Sequence, residues 1–311
     1  MTTLYITHPS FVDHDTGPGH PERPDRIRAI DKVLGHEIFE PLKREEAPKG
    51  TEEMILRVHP QDYIDAIREA APESGLIHLD GDTLMSPGTM EAVLYGVGAT
   101  VRATDAVMSG EVQNAFCGVR PPGHHAEPER AMGFCLFNNV AIAAMHARAK
   151  HGAERVAVVD FDVHHGNGTQ AAFWSDRNAF YASTHQMPLY PGTGALRETG
   201  EADNICNAPL RAFDGGDQFR EAMRSRIFPA LMNFSPDMLF ISAGFDAHKD
   251  DPLANLALVE DDFSWVSYQL AEIAHKKTGG RIVSLLEGGY NLTALARSAA
   301  VHVSALMEAG R

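Results

Sequence analysis

The chain has 311 residues, 44% of them hydrophobic and 22% charged, with a formal net charge of -15. Such a chain can form one large α/β unit or two small ones, and either buries a substantial core. Its acidity speaks against nucleic acid, because phosphate binding calls for a basic surface, and it suits cationic substrates drawn in over distance.

The opening Met1-Thr-Thr-Leu-Tyr-Ile6 has no basic region followed by an apolar signal core, and Leu4 to Ile6 reads as a first strand. Asp15 to Pro24 is too dense in Pro and Gly for a helix. Asp25 begins a helical pattern with Ile27, Ile30, Val33 and Leu34 on one face. His59-Pro60 opens another through Tyr63, Ile64 and Ile67. A long apolar helix is expected from Met90 to Met108, followed by a short strand from Ala115 to Val119. Asn138 or Asn139 caps a helix from Val140 to Lys150, which Gly152 terminates.

Further strands are expected at Val156 to Val159, Asn178 to Thr184, Asp237 to Ala243 and Arg281 to Leu286. Asp217 to Phe234 is a helix that Pro229 should kink or break. Asp261 caps a helix running to Lys277, and Leu292 to Met307 is the last helix. Apolar strands alternating with helices indicate a parallel sheet covered on both faces. No repeat or linker divides the chain, so residues 1–311 are read as one domain. Cys117, Cys135 and Cys206 form no C-x-x-C pair, and no apolar run reaches the length of a membrane span. A cytoplasmic location, with no membrane partner, is expected.

Four polar clusters directly follow apolar strands: His124-His125, Asp160-x-Asp162-x-His164, Asp246-Ala-His248 and Glu287-Gly-Gly-Tyr290. Ligands of an open parallel sheet bind at the carboxyl ends of its strands, so these clusters should gather at one edge. Asp160, Asp162 and His164 alternate along the chain and can point the same way. Burying two carboxylates with an imidazole is costly unless something positive binds there, and both residue types are ordinary zinc ligands. Read alone, the stretch is also compatible with a capping, salt-bridging turn. Asp246 is either a helix cap or the third ligand of an Asp2His zinc site with room for water. Tyr290 is either a core aromatic or a phenol that donates to a developing oxyanion. His124 and His125 could be loop histidines stiffened by Pro121-Pro122, although side chains of a tandem pair diverge and each needs its own partner.

Five segments in order, Arg120-Pro-Pro-Gly-His-His-Ala126, Gly133-Phe-Cys-Leu-Phe-Asn-Asn139, Asp160 to Thr169, Ser242-Ala-Gly-Phe-Asp-Ala247 and Glu287-Gly-Gly-Tyr290, resemble the motif set of zinc-dependent histone deacetylases and their class II-like bacterial amidohydrolase relatives. The resemblance implies the arginase/deacetylase α/β fold, one central parallel sheet of about eight strands with helices on both faces. It implies zinc on Asp162, His164 and Asp246, His125 as general base and acid, His124 as electrostatic support with Asp160 as its buried partner, and Tyr290 as oxyanion donor. Asn167 matches the partner of His125; many class I enzymes have Asp there, so His125 is expected to titrate lower than theirs. Gly133, Phe134 and Tyr190 match the wall that grips the stem of acetyl-lysine. Arg26 matches an internal-channel arginine, and the Gly17 to Pro24 loop part of the rim. A potassium site is implied at Asp160, Asp162, His164, Ser183 and Thr184.

The implied substrate is an acylated lysine in a peptide or protein. Its nearest rival is a small acylated amine of the acetylpolyamine kind. The polyamine-selective branch with an acidic gatekeeper places Glu where this chain has Leu253, while Asp250 and Asp251 keep that rival open. An arginase-like two-manganese site would need Asp at Gly166. A decayed binding module would be free to lose His125 and Tyr290, and a sugar-amide hydrolase would need polar groups in place of Phe134 and Tyr190. The motifs set no oligomeric state.

Overall fold

A computed structural model describes residues 2–310; Met1 and Arg311, the ends of the expected domain, lie outside the described residues. Its strands are β1 (Thr3–Thr7), β2 (Lys43–Glu46), β3 (Ile77–His78), β4 (Leu84–Met85), β5 (Asn114–Cys117), β6 (Val156–Asp160), β7 (Ala179–Gln186), β8 (Ile205–Leu210), β9 (Met238–Ala243) and β10 (Ile282–Leu286). Eight of them form one sheet in the order β2-β1-β5-β10-β9-β6-β7-β8. Every neighbouring pair in it is parallel. β3 and β4 make a separate antiparallel hairpin.

The central strands are buried from end to end, as continuous runs such as Val156-Ala-Val-Val159 and Leu239-Phe-Ile241 require. Both sheet faces are therefore covered. On one side the helix Leu292–Ala309 packs against Asp25–Leu34 and Glu260–Lys277; Thr89–Met108 and Asn139–His151 pair in another layer. A smaller apolar cluster, including Ile64, Ile67, Val97, Leu136 and Phe137, anchors the 52–70 segment against the loop that carries Phe134. Among the described residues, no helix is long and apolar enough to cross a membrane.

Both edge strands escape the sequence pattern. β2 is Lys-Arg-Glu-Glu, a charged edge of the kind that discourages pairing with another chain. β8 carries Pro209, which an edge strand tolerates because one side needs no ladder donors.

The expected break near Pro229 takes the form of a π-helical turn, Met223–Ile227, between the helices Gly216–Ala222 and Phe228–Phe234. Proline lacks the N–H and crowds the preceding turn, and the wider turn accommodates the mismatch. Asp261 is not the cap expected of it. The helix begins at Glu260, and Asp262 reaches back to accept the Val259 N–H at 3.1 Å. At the helix Asn139–His151 the cap is Asn138, whose side chain accepts from the Ala141 N–H, and Gly152 closes the helix at φ +67°.

β5, β10, β9 and β6 are contiguous in the middle of the sheet. Their carboxyl ends lead into the His124-His125, Glu287–Tyr290, Asp246 and Asp160–His164 segments respectively. Sheet order alone thus brings together clusters that lie far apart in the chain.

Candidate active site

Asp162, His164 and Asp246 are buried, and their candidate ligand atoms all lie within 4.8 Å of one another. The His164 Nδ1 is 3.2 Å from Asp162 Oδ1 and 3.1 Å from Asp246 Oδ2. Backbone donors aim both carboxylates: the Gly288 N–H bonds Asp162 Oδ2 at 2.7 Å, and the Val163 N–H bonds Asp246 Oδ1 at 2.9 Å. Gly288 must be glycine for this approach, since a Cβ there would stand 2.1 Å from Asp246 Oδ2.

The cluster fits a divalent ion. Burial alone would depress the His164 imidazole, yet Asp162 and Asp246 push it up to about 10. Burial and the Asp162 charge push the Asp246 carboxyl up to about 7. Two carboxylates and an imidazole converging in a buried spot are an Asp2His donor set of the kind that suits zinc.

His124 and His125 have unlike partners. The His124 Nδ1 faces Asp160 Oδ2 at 2.9 Å, an oxygen that also accepts from the Tyr181 hydroxyl at 3.0 Å. Burial opposes the charged form of His124, but Asp160, Asp162 and Glu287 outweigh it and hold the group well above the usual histidine range. The His125 Nδ1 faces Asn167 Oδ1 at 2.8 Å. Burial, then the neighbouring His124 charge, holds His125 well below that range. Desolvation is the first cause of that lowering, and the bond to Asn167 acts in the opposite direction.

A cavity of about 220 Å³ opens above these groups, lined by Asp82, His125, Gly133, Phe134, His164, Leu189, Tyr190, Leu253 and Tyr290. Phe134 stands in the left-handed region at φ +69°, and its N–H bonds the Thr83 hydroxyl at 3.1 Å. Holding a non-glycine residue there costs on the order of 1–3 kcal/mol, and it sets the ring edge-on to Tyr290 with centroids 5.8 Å apart. Tyr190 stands edge-on to His125 at 5.2 Å and is partly exposed at the mouth. Gly133 packs so closely on His125 that an added Cβ would meet its Cδ2 at 2.5 Å.

A family model described as "Histone deacetylase domain" matches residues 20–306. The chain belongs to the histone deacetylase family. It is a hydrolase with deacetylase activity, and zinc dependence is general in that family. It is 38% identical over 287 residues to the histone deacetylase-like amidohydrolase of Pseudomonas aeruginosa, covering 90% of this chain and 75% of that one. It is 36% identical over 323 aligned positions to a probable deacetylase of Archaeoglobus fulgidus, covering 99% and 89% respectively. Among solved structures, the crystal structure of the HDA15 HD domain superposes with a TM-score of 0.93 at 33% identity, over 99% of this chain and 90% of that one.

Behind this family site, buried ion pairs join residues from distant loops, and Arg120 and Glu22 have no individual role in the motif set. Glu22 is fully buried and binds two arginines: Arg120, with Nη2 at 2.7 Å, and Arg26, with Nη1 at 3.1 Å. Burial would raise the Glu22 carboxyl, but Arg120 and His14 hold it well below the usual range. Arg26 also donates to the carbonyls of Glu287 and Gly289, and its guanidinium lies 4.8 Å over the Tyr290 ring. In the Gly17 to Pro24 loop, His20 stands edge-on to Phe134. Asp251, which the sequence left open as a contact for cationic substrates, is buried and turned inward, and its carboxylate accepts the N–H groups of Leu253, Tyr290 and Asn291. Such pairings carry no sequence period, so only the fold exposes them. Ser183 and Thr184 are buried in the second half of β7, where Ser183 pairs with Asp160 of β6. The Thr184 hydroxyl has no hydrogen-bond partner among the described residues.

Proposed function

We propose that the chain is one deacetylase domain that removes acetyl or other acyl groups from the ε-amine of lysine in peptides or proteins. The observation that carries this reading is the shape of the 220 Å³ cavity: His125, His164 and Tyr290 among its lining, with Phe134, Tyr190, Leu189 and Leu253 as walls. Apolar and aromatic walls bury a methylene stem at little entropic cost.

Asp162, His164 and Asp246 would hold zinc, which supplies Lewis-acid polarisation of an amide carbonyl and of water. His125 takes a proton from the attacking water on Nε2 and returns it to the amine nitrogen as the C–N bond breaks, so acetate and free amine leave. His124, held cationic by Asp160, stabilises negative charge as it develops. Tyr290 donates a hydrogen bond from its hydroxyl to the carbonyl oxygen as that oxygen gains charge. Asp160, Asp162, His164, Ser183 and Thr184 would hold potassium, and the orphaned Thr184 hydroxyl supports an oxygen-coordinated ion there. Free cysteines suit a reducing compartment, and we assign the protein to the cytoplasm.

Lysine is preferred over polyamines because Leu253 lines the cavity while the Asp251 carboxylate is spent on backbone donors. The deciding experiment is turnover by the zinc-loaded protein on acetyl-lysine peptides, longer acyl-lysines and acetylpolyamines. Turnover of the lysine peptides is expected; activity confined to acetylpolyamines reverses the assignment.

A further inference from the structure

His125 meets an amide, which by itself does not decide how the pair is arranged. An asparagine can offer either its oxygen or its NH2, and an imidazole can carry its proton on either nitrogen. If the amide turned round, its NH2 would face Nδ1 and the imidazole proton would move to Nε2, the nitrogen needed as a proton acceptor. Something beyond Asn167 has to fix the choice.

The far side of that amide supplies it. Asn167 Nδ2 lies 2.7 Å from Glu127 Oε1 and 3.3 Å from Met132 Sδ. An ionised carboxylate only accepts, and a thioether sulfur is a weak acceptor, so both neighbours demand the NH2 on this side. The oxygen is thereby turned to His125, 2.8 Å from Nδ1, and an oxygen there demands a proton on that nitrogen. Of these two acceptors, Glu127 is the closer and the stronger. It is held in turn by a tight turn in which the Glu127 N–H bonds the Arg130 carbonyl at 3.0 Å. It lies two residues beyond His125, so the same loop carries both ends of the row.

We propose that Glu127 is a positioning residue for the general base: acting through the Asn167 amide, it fixes the His125 proton on Nδ1 and keeps Nε2 bare toward the cavity. The proposal rests on the reading of His125 as the base. It explains how an enzyme with asparagine in place of the aspartate of many class I relatives still specifies one tautomer. The carboxylate stands one residue further out, and the amide passes on its orientation without bringing a charge against the imidazole.

The test uses zinc-loaded protein labelled with ¹⁵N-histidine, the His125 resonances being identified by their loss in His125→Ala. Protonated and bare ring nitrogens are separated by their shifts, so the tautomer is read independently of any substrate. Wild type and Glu127→Gln, whose amide oxygen can still accept from Asn167, should carry the proton on Nδ1. Glu127→Leu should lose that preference, and its kcat on an acetyl-lysine peptide should fall about 10- to 100-fold with KM little changed, the range for losing a hydrogen-bonded support one shell out. Glu129→Gln, on the exposed neighbour, should match wild type. An Nε2 proton in wild type, or a Glu127→Leu protein that keeps the Nδ1 proton, overturns the proposal whatever the turnover. Wild-type inactivity on every acyl substrate would count against the proposed function and leave the tautomer result standing.

Discussion

The carboxylate of Asp251 accepts the backbone N–H of Tyr290 at 2.7 Å. Through its other oxygen it accepts from Leu253 at 3.1 Å, so one buried side chain ties a cavity wall to the candidate oxyanion donor. Asp251→Ala would leave three N–H groups without their acceptor and should cost ~2 kcal/mol or more of stability. Asp251→Asn, which keeps one accepting oxygen, should cost less. Urea unfolding with turnover measured on the same samples checks both; an Asp251→Ala protein of wild-type stability and kcat would refute the tie.

Tyr290→Phe removes one hydroxyl from a half-buried ring that lines the cavity and keeps the ring itself. The fold should persist by circular dichroism, while kcat on an acetyl-lysine peptide should drop about 100-fold or more, as when other oxyanion donors are removed. Undiminished turnover would take the hydroxyl out of the mechanism.

Zinc at Asp162, His164 and Asp246 should stabilise the folded chain by mass action, about 4 kcal/mol when free metal exceeds Kd a thousandfold. A chelator should therefore lower Tm, and Asp246→Ala should abolish tight one-to-one zinc binding in calorimetry. A second group, Asp105, His146 and His151, also clusters, but its two imidazoles share Asp105 Oδ1 as a hydrogen-bond acceptor. His151→Ala should leave the tight site intact.

His59 is pushed down to about 4 by burial. Its Nδ1–H donates to the Pro128 carbonyl at 2.9 Å, while Nε2 accepts the Asn138 N–H at 2.9 Å, so protonation would destroy the second bond. Between pH 6.5 and 4 the unfolded chain binds a proton here that the folded chain refuses, and stability falls with falling pH. His59→Gln can make both bonds without titrating. Its stability measured across that window should vary less steeply than that of wild type; an unchanged slope would exclude His59 as the source.

The interior of the fold is legible in the sequence because burial on both faces writes itself as unbroken apolar runs, as at Val156 and Phe240. Its margins are not, since Lys43-Arg-Glu-Glu46 carries no apolar residue to mark it as a strand. At the site, Asp162, His164, His125 and Tyr290 stand out because strand ends converge. Glu22, Arg120 and Asp251 do not, for their pairings join distant loops, and Glu127 is hidden because its effect passes through an amide whose direction no sequence records.

The proposed reacting groups all follow four adjacent strands in the middle of the sheet, and neither border strand leads into one. Reactivity and selectivity are thereby written in separate parts of the molecule. Randomising the surface loops at 74–82 and 187–198 should yield variants that accept different amines, while the hydrolytic machinery beneath them is inherited unchanged.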